Sequence, residues 1–148
     1  MKTDRYPLNS AQDLMRFEFV SEGPRGFIPK IIEFQRTEIP DVYNLAFGDV
    51  QHPHRTLNDR AVSNNGDTEK VLTTVAWAVA LFLERRPYAF VYAEGSTPAR
   101  NRLYRRSMAR FLDELERSFY LYGRVGNEFF DFDPEQEYEG FLAQLKIP

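Results

Sequence analysis

The sequence predicts an α+β domain, with a single, mostly antiparallel sheet and two main helices packed on it, in the order βββ-α-β-α-ββ-α. Three observations carry this. The first third of the chain alternates apolar and polar residues with period two and is cut by turn clusters, as antiparallel strands are. Two later segments, 67–86 and 98–117, place apolar residues at helical spacing. Short apolar runs lie between and after them, so the helices must cross the face of one sheet. The 148 residues, read as one domain spanning 1–148, are enough to bury a core.

The elements follow in order. Met15, Phe17 and Phe19 alternate with Arg16 and Glu18, which predicts a half-buried strand. Ser21-Glu22-Gly23-Pro24-Arg25-Gly26 turns the chain. A second strand over 27–36 places Ile28, Ile32 and Phe34 on one face. Pro29 has no N–H to give, so this strand is expected at a sheet edge or to start beyond that residue. Ile39-Pro40-Asp41 makes the next turn, and 42–47 is a third strand with Tyr43, Leu45 and Phe47 on one side. Residues 48–66 read as a loop, and loops of that length are functional or flexible. Asp67 is placed to cap the first helix. Val71, Val75, Ala78, Val79 and Phe82 form its buried stripe, and Arg85-Arg86-Pro87 ends it. The continuous apolar run 88–93 predicts a central strand covered on both faces. Thr97 caps the second helix, Pro98 opens it, and Tyr104, Met108, Phe111, Leu112 and Leu115 form its apolar face. Strands over 119–124 and 128–132 flank Gly126-Asn127, and a short helix over 138–145 closes the chain.

Composition removes several classes of function. Aromatic residues make up 15% of the chain, with 13 Phe and 8 Tyr, which excludes a disordered chain. The absence of cysteine excludes disulfides, a thiolate nucleophile and Cys-ligated zinc or iron–sulfur centres. A net charge of −3 argues against a general polyanion binder, so no DNA partner is expected. The first residues are polar and the longest apolar stretch, 71–83, is too short to span a bilayer, so a soluble cytoplasmic protein with no membrane partner is expected.

Three groups of residues invite chemistry. The first is Asn64-Asn65-Gly66-Asp67 at the start of the first helix. Free N–H groups and a partial positive charge there can hold a phosphate or carboxylate, and glycine permits close approach. The same residues also make an Asx turn and a cap, which need no ligand and are the commoner use. The second is Arg100, Arg102, Arg105, Arg106 and Arg110, with no acid between them. Arg102, Arg106 and Arg110 fall on one stripe, where like charges repel. Either internal carboxylates or an anionic ligand, a phosphate-bearing cofactor or RNA, must compensate. Arginine outnumbers lysine fifteen to four, which favours bidentate contacts over simple solubility. Arg100 sits in the first turn, where positive charge is unfavourable, so it is expected to hold a specific partner: Asp49, Asp59, Asp67 or a bound anion. The third group is His52 and His54 with Asp49 and Asp59. Their spacing matches no metal-ligand motif, and a solvated loop accounts for them more simply.

Two sets of segments carry resemblances. Ser21 to Gly26, Tyr43 to Asp49, Ser63 to Val75 and Gly95 to Tyr104 together resemble a family of small bacterial proteins, of Bacteroidetes type, with no assigned activity. The resemblance covers nearly the whole chain. More distantly, the order turn, helix, strand, Arg-bearing helix with Leu103-Tyr104 and final strand pair is similar to the core of GNAT acyltransferases. In those enzymes the first helix N-terminus receives the pyrophosphate of acetyl-CoA, and a tyrosine on the next helix serves as general acid. The resemblance implies acetyl-CoA as cofactor, Asn65, Gly66, Lys70 and Arg100 as its binding residues, and Tyr104 as the catalytic acid. The contrasting expectation is a non-catalytic or toxin-type module of a toxin–antitoxin or defence system. Its contact with a partner protein or RNA would run through Arg102, Arg105, Arg106 and Arg110.

Overall fold

The computed structural model describes residues 4–58 and 64–147. Along the chain these form β1 (Asn9–Ser10), β2 (Arg16–Gly23), β3 (Gly26–Arg36), β4 (Val42–Gln51) and β5 (Thr56–Asn58), then α1 (Thr68–Arg85), β6 (Phe90–Ala93), α2 (Pro98–Arg110) and α3 (Leu112–Ser118), and finally β7 (Phe119–Val125), β8 (Glu128–Asp131) and β9 (Gly140–Leu145). The strands make one sheet in the order β1-β2-β3-β4-β6-β9-β7-β8, with β5 also paired to β4. All pairings are antiparallel except that of β4 with β6, which α1 connects. The protein is therefore α+β, with a mostly antiparallel sheet and three helices.

Alternation along the strands sorts the two faces. On β2, Phe17, Phe19 and Ser21 are buried while Val20 is exposed. Ile32 and Phe34 of β3 and Tyr43 of β4 share the buried face with Phe17 and Phe19, and α1 lays Val71, Val75, Ala78, Phe82 and Leu83 on them. Phe82 is the centre: it stacks on Phe34 at 4.1 Å and meets Tyr43 edge-on at 4.9 Å. A second cluster, Phe132, Tyr138 and Phe141, receives Tyr104, Met108 and Leu112 from α2 and α3. Ala143, in register with Val91, packs with the first cluster, and Phe141 lies two residues earlier on β9. Both helix systems therefore cover the same face. Among the described residues no helix is long and apolar enough to cross a membrane.

Four expectations are corrected. Residues 138–145 do not form a helix: 140–145 is β9, inserted between β6 and β7. Tyr138, Phe141, Leu142 and Leu145 fit helical spacing, but Phe141, Ala143 and Leu145 fit period two equally well, and two strand edges needing partners decide the matter. The single helix expected over 98–117 is two, because Phe111 leaves helical geometry at φ −108° and ψ 18°. Pro29 lies inside an interior strand rather than at an edge. It pairs with Val20 of β2, while β4 reaches only as far as Lys30, so no ladder bond is asked of its missing N–H. The segment 48–66 is not all loop, since β4 runs on to Gln51 and β5 follows.

The 88–93 run does become an interior strand, β6, between β4 and β9, but it is not covered on both faces: the helices lie on one side of the sheet, only Val91 of the strand is buried, and Tyr88 is exposed. Thr97 caps α2 as expected, its side chain accepting from the Arg100 N–H at 3.2 Å, with Pro98 opening the helix.

Candidate ligand cleft

Apolar side chains of α1 and α2 stand apart over the middle of the sheet and leave a cleft of about 580 Å³. Leu45 and Phe47 of β4, Val91 and Ala93 of β6 and Phe141 and Ala143 of β9 form its floor. Leu72, Val75, Ala76 and Val79 of α1 line one wall, and Tyr104, Met108 and Phe111 of the α2 side line the other. The lining is apolar with a few polar groups, as ligand pockets are. Glu94, Ser96 and Arg100 line the cleft where β6 ends and α2 begins, and Asn44, Thr73 and Ser107 are further polar residues of the lining. Across the rims, Arg110 Nη1 of α2 reaches Glu69 Oε2 of α1 at 3.0 Å.

The sheet contributes more than side chains here. On the edge that β4 presents to β6, residues 42–45 pair with β6 and residues 49–51 with β5. Residues 46–48 have no strand partner on that edge among the described residues. The Phe90 N–H donates to Asp41 O, which starts a parallel ladder in which the odd-numbered residues of β4 turn their N–H and C=O toward β6. Phe47 continues that alternation, so its backbone groups point into the gap beside the cleft.

Tyr104 lies in the wall, its ring 6.0 Å from Phe47 and 6.5 Å from Phe141. Burial raises its pKa above the ordinary tyrosine value, and the positive charge of Arg100 acts the other way without reversing it. Its phenol therefore keeps its proton at neutral pH. Arg100 Nη1 donates to Ser96 Oγ at 2.7 Å.

The residues expected at the α1 start sit elsewhere. Asn65 is 1% exposed and is taken up by the β2–β3 hairpin: its Oδ1 accepts from the Arg25 N–H at 2.7 Å, and its Nδ2 donates to Gly26 O and Ser21 Oγ. The Gly66 N–H donates to Asn64 Oδ1 at 2.9 Å, an Asx turn that the positive φ of Gly66, +75°, allows. Lys70 Nζ lies 4.2 Å over the Tyr6 ring. Asp67 is not a side-chain cap. Its carboxylate accepts instead from the hydroxyls of Tyr6 and Ser21, both at 2.5 Å, and burial together with that bond raises the Tyr6 pKa. Asn65, Gly66 and Lys70 are absent from the lining of the cleft, whereas Arg100 and Tyr104 are in it.

Of the acids expected beside Arg100, Asp49 binds Lys30, Asp67 is engaged as above, and Asp59 lies outside the described residues. Arg106 is exposed, and Arg102 and Arg105 lie on another side of α2, in a second recess. His52 and His54 are exposed on the turn between β4 and β5. Among the described residues no group of three or more His, Asp or Glu is arranged to hold a metal ion.

Sequence reasoning did not find Glu94 or the open edge of β4. Glu94 follows directly on β6 and gave no motif signal, and a gap between strand partners is a property of pairing that leaves no pattern in the chain. Comparison with known proteins yields one match: the model of a family of unknown function (DUF6934) matches residues 2–146. No curated protein and no solved structure matches.

Proposed function

The chain belongs to the DUF6934 family, whose function is unknown, and from its own geometry we propose that the cleft binds an acyl-CoA and that the protein is a GNAT-like acyltransferase acting on an amine. The observation that carries this is the apolar cleft lying against residues 46–48 of β4, which have no strand partner on that edge among the described residues, with a protonated tyrosine in its wall and an arginine at its polar end. An acyl pantetheine chain is narrow, largely apolar and punctuated by amides. It fits a slot whose floor is apolar and whose side offers the N–H and C=O of Phe47, in the manner of an added strand. One parallel strand pair joined by a crossing helix, then an Arg-bearing helix with Tyr104, also supports the GNAT-like reading.

When bound, the ligand supplies an activated acyl thioester. The protein's own part divides among three side chains. Arg100, at the polar end of the cleft, offers a positive charge to the phosphates; Asn65, Gly66 and Lys70 lie outside the lining and take no part in this reading. Tyr104 donates its phenolic proton to the sulfur as the carbon–sulfur bond breaks. Glu94, the one carboxylate of the lining among the described residues, takes the proton that the amine gives up as the carbon–nitrogen bond forms. Return of that proton to the Tyr104 oxygen restores the protein and leaves an amide and a free thiol.

Thermal melting with coenzyme A tests the binding. Ligand at about 100 times its dissociation constant stabilises by about 2.7 kcal/mol. Arg100→Ala is expected to reduce that shift. Tyr104→Phe is expected to keep it while acetyl transfer to an amine acceptor falls by about 10²-fold or more. No shift with millimolar coenzyme A would sink the reading. The second reading, a non-catalytic or toxin-type module touching a partner protein or RNA, draws on Arg102, Arg105 and Arg106, for which no ion pair is formed among the described residues. A melting shift with RNA or with a co-encoded protein, abolished by Arg106→Ala, would favour it.

A further inference from the structure

We infer that α2 carries a second, separate site on the side turned away from the cleft: a recess that takes a single phosphate-type oxyanion. At about 3.6 residues per turn, Arg100, Tyr104, Met108 and Phe111 fall on one side of the helix, Arg102 lies opposite them and Arg105 about a quarter-turn round, and neither of the two lines the cleft. Those two arginines line a recess of about 250 Å³ whose remaining walls include Val125, Glu137, Tyr138 and Glu139.

The walls are held in place. Tyr138 is buried, packs on Phe132 and Phe141, and lies so close over Gly123 that a Cβ there would overlap its ring. Glu139 has its carboxylate committed to Arg124 Nη1 at 3.0 Å and to the Gly126 N–H, and its carbonyl to Asn101 Nδ2. The Glu139 carboxylate is therefore held by Arg124, which it shares with Glu94, rather than by Arg102 or Arg105.

The arginines are not. Arg105 Nε is buried and has no hydrogen-bond partner. The side chains of Arg102, which is exposed, and of Arg105, which is half-buried, make no ion pair or hydrogen bond among the described residues. A buried donor without an acceptor and two like charges one helical turn apart both disfavour the bare arrangement. Water would satisfy Nε but leave the charge. A carboxylate fills one guanidinium fork. A phosphate group has enough oxygens to accept from Nε and from both guanidinium groups, which is the geometry arginine serves best. Glu137, on the exposed rim, is the one carboxylate of the recess not otherwise engaged, and it opposes an anion there.

Calorimetric titration of the full chain with inorganic phosphate, and separately with methyl phosphate, tests this. The expected result is saturable binding of at least one of them. Preference for the ester points to a phosphate carried on a larger ligand, and equal or better binding of the inorganic ion points to free phosphate. Arg105→Lys keeps the charge but loses Nε–H and the fork, so affinity should fall by about tenfold; Arg102→Lys is the second variant should the first melt early. Glu137→Gln should tighten binding, and Arg100→Ala should leave it within about twofold. Absence of saturation in the unaltered protein, indifference to both lysine variants, or loss in Arg100→Ala would overturn the site. The last outcome would move the anion to the cleft, so failure here and failure of the acyl-CoA reading remain distinct.

Discussion

Lys30 lies on the helix-facing side of β3 between Ile28 and Ile32, where alternation demands an apolar residue. It is 1% exposed, and its Nζ stands 2.6 Å from Asp49 Oδ1, the residue opposite it in the β3–β4 register. A buried ammonium is tolerated only with such a partner. Removing one member takes the closest opposite charge from the other at a largely buried position. Lys30→Ala or Asp49→Ala is therefore expected to cost about 3–5 kcal/mol, whereas changing both to Met and Leu should recover most of that loss. Chemical denaturation of the three variants reads it; a single variant as stable as the parent would show that the pair is solvated. Nothing in the local pattern marks this pair, because a period-two alternation reports which face a residue is on and not what stands opposite.

At the level of elements, β9 shows what a close backbone approach requires. Gly140 opens the strand, and a Cβ there would overlap the Tyr92 hydroxyl, which accepts from Arg124 Nε at 2.8 Å. Arg124 also holds Glu94 and Glu139 at 3.0 Å each, so the first residue of β9 is packed beneath a hydrogen-bonded cluster with little room to yield. Gly140→Ala is expected to destabilise by about 1–3 kcal/mol, the usual cost of overpacking, and to shift the Tyr92–Arg124 contact. Equilibrium unfolding checks the first, and an unchanged midpoint would mean that the cluster moves aside. The break between α2 and α3 belongs to the same level. Leaving helical geometry at Phe111 lets Phe111 and Leu115 line the cleft while Leu112 packs with the second cluster. An unbroken apolar stripe in the sequence carries no mark of such a division.

Among the described residues, one sheet face bears all three helices, and the cleft is the space left where the apolar sides of α1 and α2 stand apart, the two helices being bridged by Arg110 and Glu69. Filling that space without disturbing the sheet is the cleanest global test. Ala76 on α1 lines the cleft and is only partly buried, so Ala76→Trp should lower stability by no more than about 1–3 kcal/mol. The coenzyme A melting shift should disappear in that variant while phosphate binding at the Arg102–Arg105 recess persists. A retained coenzyme A shift would place the ligand outside the cleft.

Local chemistry was enough for the fold class, the first meander of strands, the extent of α1, the Thr97-Pro98 start of α2 and the interior position of β6. Each is set by alternation, capping or a continuous apolar run, which act over a few neighbouring residues and so are written in the chain. Tertiary structure decided the remainder. Residues 140–145 carry a pattern compatible with helix or strand, and the unpaired edges of β6 and β7 made them a strand. Arg100 and Tyr104 were legible as chemistry-bearing residues on one helix, but the cleft they share with β4 exists because β6 and β5 occupy different lengths of the same strand edge. Asn65 and Asp67 read as helix-start residues, yet Ser21, Arg25 and Gly26 of the β2–β3 hairpin and Tyr6 bring competing donors and acceptors to them from far along the chain. A side chain's hydrogen bonds go to the partners that folding delivers, and those partners lie beyond the reach of local sequence.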